Sequence, residues 1–304
     1  MEWSVVQRIA RMRATALRSW LTGFALLLCM GLYLFHFYLI AKYAVDVPYH
    51  DEWASFEPNQ LPSGLSLGGL IAQHNEHRLA TTRLLIWLQY HLNGWNLAIH
   101  QLVNFVLYGL TVLALLWLVT RETTRHAGSA VLCFMIYLLS PINWFNHSMG
   151  YQSQVHLWLL FFVLACNFLF NETEKWFDLI IGTGAAILSI YSMASGVLAS
   201  LVLIGTFALR RAIRLHSAKN TPERAGGYVR AIFVLVLLGA AILFWSVDYR
   251  KPSYHPALVL PYEGRFWAYI LNIIALGFGM DQVSNTLGIF CLGVILVPML
   301  GRSS

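Results

Sequence analysis

The chain has 304 residues, of which 58% are apolar and only 11% are charged, and its mean hydropathy is +0.61. A soluble domain has about 25% charged residues, so this composition excludes an ordinary soluble protein and predicts an all-α polytopic membrane protein. The formal net charge of +6 would suggest a nucleic-acid partner in a soluble protein. In a membrane protein it fits basic loops that face anionic lipid. We therefore expect membrane lipids, and no nucleic acid, among the partners.

The predicted transmembrane helices follow from apolar runs close to the roughly 20 residues that cross the hydrocarbon core. The first run follows four arginines and is too long for the apolar region of a signal peptide, so we expect it to be retained. The eight predicted spans are Trp20–Ala41, Leu97–Thr120, Gly128–Trp144, Val155–Phe170, Leu179–Met193, Gly196–Leu209, Val229–Val247 and Thr286–Leu300. Two other stretches, Leu79–Leu92 and Phe266–Met280, are shorter or more polar than these spans. They predict interfacial or re-entrant helices.

The distribution of lysine and arginine predicts the orientation of these spans. Most basic residues fall in 1–19, 120–127, 171–178 and 210–228, and cytoplasmic loops carry such an excess. We therefore expect both termini in the cytoplasm. The same bias divides residues 179–209 into two crossings around Ser192–Gly196, because one long helix would carry the following arginines outside. The result is one integral membrane domain over 1–304, with a large outer loop at 42–96 and a basic inner loop at 210–228.

The first of two polar clusters in the outer loop runs from Asp46 to Trp53, directly after the first span. It contains His50, Asp51 and Glu52. Ionisable residues at the mouth of a membrane helix are costly, and by default they indicate a functional site. Two neighbouring carboxylates in different environments can divide the roles of general base and ligand. The alternative is an ordinary polar loop whose acids cap the next helix.

The second cluster contains His74, Glu76, His77 and Arg78. In a helix, His74 would share a face with His77 and with Arg78, and the planar guanidinium of arginine suits a phosphate. Two histidines and a carboxylate are also metal ligands in kind, so a divalent metal ion stays open as a cofactor. The spacing is not H-E-x-x-H, so no metalloprotease is predicted. The alternative is a polar helix start whose arginine reaches the interface.

Two weaker clusters, Asn143–His156 and Asp248–His255, also fall on the predicted outer face. Amides, aromatic rings and histidine suit a sugar, and cations beside tyrosines suit a lipid phosphate. Both clusters also match the aromatic belt and the long cations of an ordinary membrane interface. The concentration of histidines at this face favours one shared site there. These histidines are His50, His74, His77, His91, His100, His147, His156 and His255.

The absence of two nucleotide-binding motifs, and the positions of the cysteines, exclude some functions and features. The sequence contains neither a P-loop nor a Rossmann glycine pattern, so we do not expect nucleotide hydrolysis or a nucleotide-sugar donor bound in a cytoplasmic domain. All four cysteines lie inside apolar runs, and no disulfide framework is implied.

The order of these features resembles the GT-C class of polytopic glycosyltransferases. The resemblance consists of an inside-to-outside first helix, the acidic pair Asp51 and Glu52 in a large outer loop, and the stretch from His74 through Arg78 to Gly94-Trp95-Asn96 before the second span. It covers about the first 120 residues. It implies transfer of a sugar from a polyprenyl-phosphate donor to a glycan or lipid acceptor, which we expect at the outer face of a bacterial inner membrane.

The resemblance also implies roles for individual residues. Asp51 would orient or deprotonate the acceptor hydroxyl, and Glu52 would support it or bind a divalent ion. Arg78, together with Arg83, would offset the charge that develops on the leaving phosphate. The remaining predicted substrate-binding residues are His50, His74, Glu76 and His77.

Three other functions remain as alternatives. A transporter or flippase for a lipid-linked or anionic solute would need ionisable groups at mid-membrane depth, at discontinuous helices. A non-catalytic assembly subunit of an envelope complex would not need the clustered acids and histidines. A polysaccharide polymerase would also transfer sugars, on a different fold. Because the chain is shorter than typical GT-C members and lacks their C-terminal soluble domain, we expect a shortened or truncated member.

Overall fold

The computed structural model divides into two compact units, Met1–Arg250 and Lys251–Ser304. It describes residues 2–56, 64–122, 135, 138–139, 144–171, 175–217, 222–255, 257, 259–277 and 289. The predicted span Thr286–Leu300 and most of Gly128–Trp144 therefore lie outside the described residues.

The described part of the first unit is almost entirely helical, as the composition predicts. Its helices are α1 (Glu2–Tyr43), α2 (Leu67–Ile71), α3 (Ala80–Asn93), α4 (Leu97–Glu122), α5 (Trp144–Ser148), α6 (Ser153–Leu169), α7 (Trp176–Ile190), α8 (Ala194–Ser217) and α9 (Pro222–Ser246). Short 3₁₀ helices occur at His50–Phe56 and Gly150–Gln152. Two short strands, β1 (Gln73–His74) and β2 (His77–Arg78), form an antiparallel hairpin.

Five segments of the described chain are long and apolar enough to cross a membrane. They are Gly23–Tyr43, Leu97–Arg121, Gly150–Leu169, Ala194–Arg214 and Gly226–Ser246. Helix α7 is also apolar but shorter, at 15 residues. The prediction of an all-α, multi-pass membrane protein is therefore confirmed. The predicted count of eight spans is not reached within the described residues.

The predicted division of residues 179–209 into two helices is confirmed. The chain turns between Ile190 and Ala194, and Gly196 packs against the end of α7. A Cβ atom on Gly196 would lie only 2.0 Å from the carbonyl oxygen of Ser189. Glycine is therefore required at this point, because every other residue would collide with backbone. Below the turn, Leu203 and Phe207 of α8 join a buried apolar cluster with residues of α6, α7 and α9.

The loop 42–96 contributes a helix that is too short to span a membrane, as predicted for Leu79–Leu92. Helix α3 ends at Gly94, which has a left-handed φ of +70°. The N–H of Gly94 donates to the carbonyl of Tyr90 at 3.1 Å, and the N–H of Trp95 donates to that of Gln89 at 3.2 Å. Such a glycine terminates a helix without the penalty that a Cβ atom would bring.

Residues His74–Arg78 do not form the helix that would place His74, His77 and Arg78 on one face. Asn75 adopts a φ of +50°, which turns the chain back on itself. The turn pairs Gln73 with Arg78 and His74 with His77 across the hairpin. A short polar asparagine tolerates this left-handed conformation better than most residues, so a local turn replaces the helix.

Contacts between elements place the polar loop at one end of the helix bundle, which we call the loop end. There, the N–H of Thr81 donates to the carbonyl of Tyr191 in the α7–α8 turn. At the opposite end, Arg121 donates to the carbonyl of Asn167, and Arg210 lies over the ring of Phe170. The described residues of the loop 42–96 and the basic ends of α4 and α8 therefore occupy opposite ends of the bundle.

The described part of the second unit contains the helix α10 (Gly264–Gly277), which has 14 residues. Glu263 precedes it, accepts from the N–H of Leu260 at 2.9 Å and forms an exposed ion pair with Arg265. The predicted helix over Phe266–Met280 is thus confirmed as far as Gly277, and residues 278–280 lie outside the described range.

Candidate functional site

Glu52 is the buried member of the predicted acidic pair. Only 2% of its surface is exposed, whereas Asp51 is exposed on the same 3₁₀ helix. The backbone N–H of Gly150 donates to Glu52 Oε1 at 2.6 Å, and the N–H of Tyr49 donates to Oε2 at 2.7 Å. The Glu52 carboxylate therefore joins the first loop to the segment that precedes α6.

The electrostatics of Glu52 differ from those of an exposed acid. Burial raises the pKa of its carboxyl, although the backbone N–H groups that donate to it act in the opposite direction. Desolvation disfavours the charged form, while hydrogen bonds to the carboxylate favour it. A carboxyl shifted upward in this way is better matched to proton transfer near neutral pH than an exposed one.

Gly150 allows this close approach because it has no side chain. A Cβ atom at this position would lie 2.7 Å from Glu52 Oε1 and 2.8 Å from Nδ1 of His100. His100 is fully buried, and neither of its ring nitrogens has a hydrogen-bond partner among the described residues. Asn104, one turn along α4, fixes the same segment by donating to the carbonyls of Met149 and Gly150, both at 3.0 Å.

Glu52 also faces a cavity of about 450 Å³ at the loop end. The wall is formed by the end of α1, the first loop, the start of α4 and the α5 segment. Its residues are Tyr43, Val45, Val47, Pro48, Tyr49, Glu52, Gln101, Trp144, Phe145, Ser148 and Met149. Among these, Glu52 is the one carboxylate, and four are aromatic. Ligand sites commonly combine such apolar walls with a few placed polar groups.

Asp46, the third acid of the first cluster, binds the start of the next helix, as the alternative interpretation of this loop predicts. Asp46 Oδ1 accepts from the N–H of Leu97 at 2.8 Å, and Oδ2 accepts from the side chain of Asn96. Asp46 therefore satisfies the N–H of Leu97, the first residue of α4, which has no partner within the helix. His50 is exposed, and its ring meets the ring of Tyr49 edge-on.

The second polar cluster is not part of the described cavity wall. His77 Nδ1 accepts from the N–H of Ala194 at 3.2 Å, and its Nε2 lies 3.3 Å from Glu76. The ring of His74 packs against that of Tyr151 with the ring centres 5.5 Å apart. These contacts tie the β-hairpin to the α7–α8 turn and to the segment before α6.

Both arginines of this region bind backbone carbonyls. Arg78 donates from Nε to Trp245 at 2.8 Å, from Nη1 to Ile71 at 2.7 Å, and from Nη2 to Val247. Arg83, which is buried, donates to the carbonyls of Gly69, Leu70 and Ala72. Carbonyls at helix C-termini lack intrahelical partners, so the two guanidinium groups complete the ends of α2 and α9. The phosphate-binding role of Arg78 and Arg83 stays a prediction.

We expect Arg78→Ala to lower the free energy of unfolding by about 2–4 kcal/mol, because three carbonyls lose a charged donor. Arg78→Lys should recover only part of this, since an ammonium cannot reproduce the planar fork. Thermal unfolding of the detergent-solubilised protein, without any donor lipid, would measure both. Arg265→Ala is the matched control, because its ion pair is exposed and such pairs contribute little. If Arg78→Ala unfolds at the same temperature as the wild type, the structural role of Arg78 is contradicted.

Sequence reasoning missed His36, which the structure brings together with two histidines of the weaker cluster Asn143–His156. Its ring centre lies 5.1 Å from that of His147, and the His147 ring lies 5.0 Å from that of His156. The available signal was an ionisable residue inside the apolar run of the first span, which deserves a functional hypothesis by default. Within the described ranges, no three His, Cys, Asp or Glu side chains are placed to hold one metal ion.

Comparisons of the chain with protein-family models, with curated proteins and with solved structures found no match.

Proposed function

We propose that the protein is a membrane glycosyltransferase that moves a sugar from a polyprenyl-phosphate donor to a hydroxyl of a glycan or lipid acceptor, at the outer face of the membrane. The observation that carries this proposal is the buried carboxylate of Glu52 at the wall of an aromatic-lined cavity. Aromatic faces beside one carboxylate suit a sugar that must be held and attacked by a neighbouring hydroxyl.

The proposed chemistry uses Glu52 as the base, in place of Asp51. Glu52 takes the proton of the acceptor hydroxyl while that oxygen attacks the anomeric carbon of the donor sugar. The bond from this carbon to the phosphate oxygen breaks, and its electron pair leaves with the polyprenyl phosphate. Asp51 is exposed and absent from the cavity wall, so it is less well placed for this step.

The surroundings of the cavity offer a place for the donor's lipid. An apolar groove of about 300 Å³ lies between α1 and α4, with Tyr33 of α1 and Leu116 of α4 among its residues. Tyr33 and the cavity residue Tyr43 are ten residues apart on α1, which is about 15 Å along a helix. A polyprenyl chain in this groove can extend to a head group in the cavity.

One observation favours a transporter or flippase as a second candidate. His36 and His156 are buried within the spans Gly23–Tyr43 and Gly150–Leu169. Ionisable residues inside membrane segments occur in proton relays of transporters. The same cavity would then accept a lipid-linked solute for movement across the membrane instead of transfer of its sugar.

A vesicle assay separates the two candidates. The purified full chain is reconstituted with a polyprenyl-phosphate hexose labelled in the sugar, together with an extract of envelope glycans and lipids as acceptors. We expect labelled sugar to appear in acceptor and free polyprenyl phosphate to appear in equal amount, with protein-free vesicles as control. Movement of intact donor to the opposite leaflet without sugar transfer would replace the proposal by the transporter. If neither sugar transfer nor donor movement occurs, the glycosyltransferase proposal loses its support.

A further inference from the structure

The cluster of His36, His147 and His156 is a feature that the proposed transfer reaction does not use. The three side chains come from α1, α5 and α6, and they are 4%, 0% and 5% exposed. His147 lies in the centre, with the ring of Tyr108 from α4 at 4.6 Å and that of Phe105 at 5.2 Å. Four elements of the bundle therefore meet around one imidazole.

The hydrogen bonding of the cluster is incomplete. His156 Nε2 pairs with the carbonyl of Asn146 at 3.0 Å. The two ring nitrogens of His147 and Nδ1 of His36 have no hydrogen-bond partner among the described residues. Leaving a buried polar group without a partner costs about 1–3 kcal/mol, so an all-apolar cluster would stabilise the bundle more. This cost points to a role other than packing.

Among the described residues, the groups that face the cluster give it no negative charge. The titratable neighbours are Tyr108 from α4 and the histidines themselves, and Phe105 completes the contact from α4. Burial, followed by the repulsion of His156 and His36, lowers the pKa of His147 to about 2 from the usual 6.5. A proton can therefore be held at His147 only if the residue leaves this position.

Helix α5 connects the cluster to the cavity. His147 points into the cluster, while Trp144, Phe145 and Ser148 of the same five-residue helix line the cavity. We propose that the His36–His147–His156 cluster is a proton-sensitive switch: His147 takes up a proton only when α5 is released from the cluster, so protonation favours the released state and changes the shape of the cavity. This site operates whichever solute the cavity holds, so the inference does not depend on the proposed sugar transfer.

The direction of the effect follows from linkage. The released state binds a proton at an ordinary histidine pKa, and the packed state does not. The population of the packed state relative to the released state therefore falls as the pH drops below 6.5. Each pH unit below 6.5 shifts the equilibrium about tenfold, and pH 5 shifts it about thirtyfold. Above pH 7.5 the packed state is at its full stability.

Tryptophan fluorescence of the full chain in lipid nanodiscs tests the proposal. The signal of Trp144, obtained as the difference between the wild type and Trp144→Phe, is followed from pH 8 to pH 4.5. We expect a reversible change with its midpoint below pH 6.5. His147→Phe keeps an aromatic ring against Phe105 and Tyr108 but removes the proton site, so the change should disappear. His216→Gln, at an exposed histidine, should leave it intact.

Two results would overturn the proposal: no change in the wild type over this range, or an unaltered change in His147→Phe. Size-exclusion elution and circular dichroism at pH 7.5 establish that His147→Phe is folded. If it is not, His36→Phe replaces it with the same readout. An altered midpoint in His36→Phe supports the cluster, and an unaltered midpoint contradicts it.

Discussion

Glu52→Gln is expected to reduce sugar transfer by about 10²–10⁴-fold, which is the usual contribution of a general base. Glutamine keeps the shape of the side chain, and its carbonyl oxygen can still accept from the N–H of Gly150. Its amide group cannot take a proton from the acceptor. The initial rate of transfer in the vesicle assay, normalised to folded protein, measures the effect.

Asp51→Asn is the matched control for this prediction. Asp51 is exposed and adjacent in sequence, so its substitution should leave the rate near that of the wild type. Loss of transfer in Asp51→Asn with normal activity in Glu52→Gln would restore the role that the GT-C resemblance implies for Asp51. Normal rates in both variants would remove both acids from the mechanism.

The pH dependence of the rate of sugar transfer should report the protonation of Glu52. Burial raises the pKa of Glu52, and a base acts only when it is deprotonated. The rate should therefore fall as the pH drops through this raised pKa, at a higher pH than an exposed glutamate would show.

Gly150→Ala is expected to destabilise the first unit strongly. The new methyl group would meet the Glu52 carboxylate and the His100 ring, each at less than 3 Å. Overpacking costs about 1–3 kcal/mol, and loss of the buried hydrogen bond to Glu52 adds about 1–3 kcal/mol. The thermal unfolding of the detergent-solubilised protein should shift down accordingly, and transfer should fall with it because the base is displaced.

Gly184→Ala tests whether this effect is specific to the site. Gly184 lies inside α7, and a Cβ atom there would meet nothing within 4 Å. Alanine in the interior of a helix stabilises by about 0.5–1 kcal/mol relative to glycine. Equal and small effects of the two substitutions would contradict the tight packing of Glu52 against Gly150.

The sequence by itself determined the class of the protein and several local features. Apolar runs of membrane-spanning length and sparse charge predict an all-α, multi-pass membrane protein, because lipid requires each spanning segment to satisfy its own backbone. The position of the basic residues after Leu209 predicts a break near Ser192–Gly196, and the structure turns there. The shortness of Leu79–Leu92 predicts a helix that does not cross, as α3 shows. These features depend on residues that are near one another in the chain.

Only the tertiary structure decided which polar residues meet. Asp51 and Glu52 are neighbours with the same charge, and their difference arises from Gly150, 98 residues after Glu52, whose missing side chain admits one carboxylate. Arg78 was predicted for a phosphate, yet its donors face the end of α9, about 170 residues away. His36 was one residue in an apolar run until folding placed His147 and His156 beside it. Burial, charge and hydrogen bonding of a side chain depend on these distant partners, and no local pattern contains them.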